Sequence, residues 1–132
     1  DKDGQTSLLE AWLIAARRTA AFYEEDGRLA TEHSLLDDNG DGKGTQSDWF
    51  RGLQVTSNSA EEGLLPDGLR AHQIHLVPSA NERKLTAGQR AERDALELEL
   101  ARHRSRKTKL KDLEYYDRLE EILSKMSRIY FP

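Results

Sequence analysis

Residues 37–48 read DDNGDGKGTQSD. Oxygen-bearing side chains stand at alternate places: Asp37, Asn39 and Asp41, then Thr45 and Asp48. Gly42 follows Asp41 at the point where such a chain must turn sharply, with φ > 0. The spacing D-x-N-x-D-G-x-G-x-x-x-D is that of an EF-hand calcium loop. That loop takes ligands at positions 1, 3, 5, 7, 9 and 12 and Gly at 6. Asp37, Asn39 and Asp41 fill the first three ligand positions. Lys43 supplies position 7 through its carbonyl, Thr45 position 9, and Asp48 position 12. Calcium takes six to eight hard oxygens, and alternate side chains of a tight loop are able to converge on one point. The expected cofactor is therefore Ca2+. Asp48 in place of the usual Glu predicts weaker binding, with Mg2+ as a competitor. Gly44 at position 8 is a second departure. The alternative is an acidic turn that caps neighbouring helices, since Asp, Asn and Gly are common turn residues.

A second, partial loop opens the chain. In DKDGQTSLLE, Asp1, Asp3, Gln5, Ser7 and Glu10 match positions 3, 5, 7, 9 and 12, with Gly4 at position 6. Position 1 would fall two residues before Asp1. A first residue other than Met gives the expectation of a fragment of a longer protein. Pairing of the two loops predicts that Trp12, Leu13, Trp49 and Phe50 share one core.

Helical periodicity surrounds these loops. Ser7 and Glu10 have capping-box spacing, and Leu8, Leu9, Trp12, Leu13, Ala16 and Ala20, then Phe22 and Tyr23, follow on one apolar face. Gly27 is the expected stop. A shorter helix is expected over Leu29 to Leu36, with Leu29, His33 and Leu36 inward and Glu32 facing water. Another should follow a Thr45–Asp48 cap. Residues 54–68 carry turn signals, and His72 to Leu76 alternate as in a short strand, with an irregular segment laid on the helices as the equal alternative. Thr86 and Gln89 then cap a helix expected from Ala87 to Lys107. Its apolar side carries Ala91, Ala95, Leu98 and Ala101, with Leu96 and Leu100 beside them. Asp112 is the expected cap of a last helix over Leu113–Ile129. Its stripe reads Leu113, Tyr116, Leu119, Leu123, Met126 and Tyr130. The short link between these two helices favours an antiparallel pair.

The expected fold is mainly α: an EF-hand-like helix-loop-helix region over 1–53, an irregular connection over 54–80, and a long antiparallel helical hairpin over 81–132. All three are expected to pack as one domain.

Composition narrows the function classes. The chain has 132 residues, no Cys, and a net charge of -4. Without Cys, this chain has no disulfide, thiolate site or thiol nucleophile. Residues 1–80 hold 7 of the 20 basic and 14 of the 24 acidic side chains, a balance of −7; the remainder is +3. The basic run RHRSRKTKLK, Arg102 to Lys111, reads as a solvated helix end rather than a nucleic-acid footprint. His33, His72, His75 and His103 are scattered and show no zinc or catalytic spacing. No Ser elbow, Walker loop or dinucleotide fingerprint occurs, and no apolar run is long enough to cross a membrane.

The segments DKDGQTSLLEAW, EEDGRLATEHSLLDDNGDGKGT, DWFRG and DGLRAHQIHLV resemble the C-terminal region of bacterial caspase-like proteins related to the legumain (C13) peptidase class. The resemblance spans nearly the whole chain. It implies a catalytic α/β domain upstream, with the cysteine-peptidase residues there and none here. It implies an accessory role for this region, bracing that domain or contacting another protein. The leading expectation is a non-catalytic, calcium-stabilised accessory region. The alternatives are a metal-independent protein-interaction scaffold, and part of a hydrolase whose catalytic residues lie upstream.

Overall fold

Ser7 starts the first helix as its spacing with Glu10 predicts. The Ser7 hydroxyl accepts the Glu10 N–H at 3.2 Å, and the Glu10 carboxylate accepts the Ser7 N–H at 2.8 Å. The computed structural model describes residues 3–31, 33–56 and 64–131. Within them lie five α-helices and three small antiparallel sheets of two strands each. The fold is thus mixed α/β, which corrects the mainly α, EF-hand-like expectation. The chain divides into two compact units, Asp1–Pro78 and Ser79–Pro132.

In the first unit, β1 (Thr6–Ser7) leads directly into α1 (Leu8–Glu25). Gly27 ends that helix as expected: at φ +63° it closes a Schellman turn. The Gly27 N–H reaches Glu24 O at 3.0 Å, and the Arg28 N–H reaches Tyr23 O at 2.9 Å. The helix expected over Leu29 to Leu36 does not form. Its described residues form no helix, and Leu35–Leu36 is strand β2, paired with β3 (Thr45–Gln46). Glu32 lies outside the described residues. Gly44 has no room for a side chain, since a Cβ there would fall 2.6 Å from Leu35 Cβ. After Thr45 the expected helix is only a 3-10 turn, Ser47–Trp49, with no side-chain cap. β4 (Phe50–Arg51) and β5 (Gln54–Val55) then form a hairpin, followed by α2 (Leu69–Gln73) and β6 (His75–Val77).

β1 pairs with β6, so the N-terminal loop leans on His75–Val77 and not on the loop at 37–48. This overturns the loop-pairing expectation. The core gathers Leu9, Leu13, Phe50 and Ala71, with Trp12, Leu36, Leu53 and Val55 against them. Trp12 meets Phe50 edge-on, ring centroids 5.6 Å apart. Trp49 is exposed, the one member of the expected quartet outside this cluster. Gly68 fits under Phe50 because it has no side chain. Its φ is +99°, and a Cβ would stand 2.8 Å from Phe50 Cε1.

The second unit holds α3 (Ala80–Lys84), α4 (Ala87–Ser105) and α5 (Asp112–Tyr130). Thr86 and Gln89 form the expected capping box of α4. Asp112 does not cap α5; it is the first residue of that helix, and Lys111 holds the cap position without a side-chain bond. α4 and α5 pack antiparallel around Leu85, Leu96, Ile122 and Ile129, with Leu100 and Met126 at the margin. The buried face of α4 is displaced from the expected one. Ala91 and Ala95 are exposed, while Arg93 and Leu96 are buried. Arg93 survives burial because the Glu82 carboxylate, itself 4% exposed, pairs with it. Burial opposes its charge, but the Asp94 and Tyr130 hydrogen bonds and the Asp94 and Glu82 charges outweigh it and raise the Arg93 pKa.

Glu10 sits below its ordinary value of 4.5: burial opposes the charge, and the Ser7 bonds overcome that. A depressed folded pKa stabilises above the unfolded value and is lost as pH falls through the folded one. Glu10→Gln should cost about 0.3–1 kcal/mol at neutral pH. In urea unfolding, the gap from wild type should close once the pH drops well below 4.5.

Candidate functional site

The loop at 37–48 is closed by hydrogen bonds to its own backbone. Asp37 accepts the Gly40 N–H at 2.9 Å with one oxygen and the Gly42 N–H at 3.0 Å with the other. Asn39 Oδ1 accepts the Asp41 N–H at 2.9 Å, and Asp41 Oδ1 accepts the Lys43 N–H at 2.8 Å. Gly42 turns at φ +75°, as the motif requires. These are successive Asx turns, in which a short polar side chain caps the amide two or three places on.

The expected ligands are thus neighbours with divergent commitments. Asn39 also donates from Nδ2 to Leu65 O at 3.0 Å. Thr45 is buried, and its hydroxyl donates to Asp67 Oδ2 at 2.6 Å. Lys43 is exposed, and Asp48 is exposed on the 3-10 turn. Among the described residues, no group of three or more His, Cys, Asp or Glu side chains is placed to hold a metal ion. The Ca2+ expectation, with Mg2+ as competitor, is therefore corrected, and with it the calcium-stabilised accessory region. Asp37, Asn39 and Asp41 turn acceptor oxygens to amide hydrogens of their own loop.

The N-terminal partial loop follows the same rule. Asp1 lies outside the described residues. Asp3 accepts the Gln5 N–H at 3.1 Å. Its pKa is lowered; burial opposes this, and the Gln5 bonds prevail. Gln5 is half-buried. Ser7 is fully buried, donating to Glu10 Oε2 at 2.9 Å with His72 Nδ1 3.4 Å away. Ser7 Oγ serves the helix cap, with the half-buried His72 beside it.

Two carboxylates that the motif ignores carry the local architecture. Asp67, 4% exposed, accepts the Asp38 N–H at 3.0 Å and the Asn39 N–H at 3.3 Å through Oδ1, besides the Thr45 hydroxyl. Asp38 answers in the opposite direction. It accepts the Gly68 N–H at 3.0 Å and the Ala71 N–H at 2.7 Å. This reciprocal clasp joins the loop to the start of α2. Burial raises the Asp38 pKa, with Asp67's charge adding to the rise, while the Ala71 and Gly68 bonds work against it. The only sequence signal for the clasp is the Pro66-Asp67-Gly68 turn, whose partner stands 29 residues away.

A different feature stands out on α5. On α5, Tyr115, Ile122 and Ile129 are buried at seven-residue spacing. Tyr116, Leu123 and Tyr130 repeat the same spacing one place on, and are 53%, 45% and 40% exposed; Leu113 is 76% exposed. The stripe expected to be core is thus largely the outward one. One residue along a helix is about 100° around it, so the two rows lie side by side. The row ends at a cleft of about 370 Å³ lined by Leu85, Ile129, Tyr130 and Phe131.

No protein-family model matches the chain, and no curated protein or solved structure matches it. Among the described residues, no helix is long and apolar enough to cross a membrane.

Asp67→Ala strips the buried Thr45 hydroxyl and the half-buried Asp38 and Asn39 amides of their acceptor and should lower the unfolding free energy by about 3–5 kcal/mol. Asp48→Ala, at an exposed position, should change it by less than about 0.5 kcal/mol. Chemical denaturation of both variants checks this contrast.

Proposed function

We propose that this chain is a metal-independent protein-interaction module with no chemistry of its own. The observation that carries this reading is the exposed row Leu113, Tyr116, Leu123 and Tyr130 on α5. Large apolar side chains at regular helical spacing cost solubility wherever they are left in water. They suit a helix that packs on another protein. Aromatic side chains with a polar tip are also favoured at such surfaces.

The loop at 37–48 has a supporting part in this reading. Its Asx turns and the Asp38–Asp67 clasp rigidify the first unit without an ion. The partner is a folded protein surface. An upstream caspase-like domain, the kind of partner that the sequence motifs imply, is one such surface.

The stability and binding roles of adjacent α5 residues should separate. Ile122→Ala should cost about 2–5 kcal/mol, and Leu123→Ser less than about 0.5 kcal/mol. With benzoylphenylalanine in place of Leu123 in the full chain, irradiation in a native extract should give one defined protein adduct. The same group in place of Glu92, exposed on α4, should give none. Equal labelling at both positions, or none at either, contradicts the reading.

A further inference from the structure

Asn39 precedes Gly40, whereas the chain's other asparagines precede Ser59 and Glu82. An Asn-Gly pair carries a reaction of its own. The backbone nitrogen after the asparagine attacks the side-chain amide carbon, and a glycine there brings no Cβ to obstruct it. A bond forms from Gly40 N to Asn39 Cγ, and the Cγ–Nδ2 bond breaks. The proton lost by the Gly40 nitrogen balances the one gained by the departing amide group, which leaves as ammonia. Water then opens the resulting succinimide at either carbonyl. One product is aspartate; the other is isoaspartate, in which the main chain runs through the former side chain. Water is the only co-reactant.

In the folded chain the reacting groups are engaged elsewhere. The Gly40 N–H donates to Asp37 Oδ1 at 2.9 Å. Asn39 Nδ2, the leaving group, donates to Leu65 O at 3.0 Å, and Asn39 Oδ1 accepts the Asp41 N–H at 2.9 Å. The Asn39 N–H is taken by Asp67 Oδ1 at 3.3 Å. Swinging Cγ onto the Gly40 nitrogen means giving up the Leu65 and Asp41 bonds together. Access is not the obstacle: Gly40 is exposed, and a Cβ built on it would meet nothing within 4 Å. The restraint is the hydrogen bonding of the loop and its clasp.

We propose that Asn39 is a latent self-modification site, guarded by the Asp37 turn and the Leu65 contact, which loses its amide when the loop opens and then cannot restore the native loop. The native rate follows the fraction of time that the loop is open, as for any reaction confined to an opened state. The products explain the irreversibility. A carboxylate at 39 has no proton to give Leu65 O. It also adds charge to a stretch that already holds Asp37, Asp38 and Asp41, with Asp67 bonded to it. Isoaspartate lengthens the main chain by a methylene and shifts the Gly40 and Gly42 N–H groups away from Asp37. This site is independent of the α5 surface.

Peptide mapping by mass spectrometry, on the full chain held in mildly alkaline buffer with and without unfolding urea, tests this. Asn39 should convert at least about tenfold more slowly in the folded chain than in urea. Asp37→Ala, which frees the Gly40 N–H, should speed the native reaction by about tenfold. Asn39→Asp, the aspartate product made directly, should unfold at a lower urea midpoint than wild type. Equal rates in folded and unfolded wild type would overturn the proposal, as would an amide that survives in urea. So would a folded Asp37→Ala chain that reacts no faster, or an Asn39→Asp chain as stable as wild type. Should Asp37→Ala fail to fold, wild type in urea below its midpoint replaces it. There the rate should climb with urea, and a rate that stays flat up to the unfolding transition would overturn the proposal.

Discussion

Asp38 and Asp67 each accept backbone N–H groups from the segment that carries the other. The first unit depends on this exchange. The loop at 37–46 and the turn at 65–68 have little apolar surface with which to hold each other. Buried amides left unpaired would each cost about 1–3 kcal/mol, so the two carboxylates decide whether the segments meet at all. Their meeting sets Gly68 beneath Phe50 and brings Ala71 into the cluster of Leu9 and Leu13. Holding these carboxylates inside the fold is a liability: burial first, and the charge of Asp67 after it, raise the Asp38 pKa. The amide hydrogens around them offset it. Within the loop, Asx turns engage oxygens of Asp37, Asn39 and Asp41 on its own amides.

The second unit has the opposite imbalance. Its three helices bury Leu85, Leu96, Ile122 and Ile129 around a shielded Arg93–Glu82 pair. Domains of this size conceal only about 60% of the surface that the unfolded chain exposes. α5 brings more apolar side chains than this small core admits. The excess falls on one row, in phase with the buried one, and not at random over the surface. That order is the reason to assign it to binding.

The elements legible in the sequence are those set by local rules. The capping boxes at Ser7–Glu10 and Thr86–Gln89, the stop at Gly27, and the spans of α1, α4 and α5 follow from chemistry within a few residues. What misled was long-range. Leu29 to Leu36 has helical spacing, yet Leu35 and Leu36 pair with Gln46 and Thr45, and strand pairing overrides propensity there. On α5 two apolar rows compete, and periodicity does not say which one a neighbour will take. On α4 a buried Arg93 is unreadable without Glu82, eleven residues upstream. The site is illegible for a related reason. The motif at Asp37 to Asp48 places oxygens along the chain correctly. It cannot register that Asp67 would take the Thr45 hydroxyl and the Asn39 amide hydrogen.

Thermal unfolding of the full chain, in a strong chelator and again in excess calcium, tests the self-sufficiency of that loop most directly. An ion present at a hundred times its Kd adds about 2.7 kcal/mol to whatever fold it binds. For a unit of this size that is a rise in Tm of roughly 10 °C or more. A loop already closed by its own amides predicts the same Tm in both solutions. A calcium-dependent rise of that order, absent with the chelator, would contradict the account.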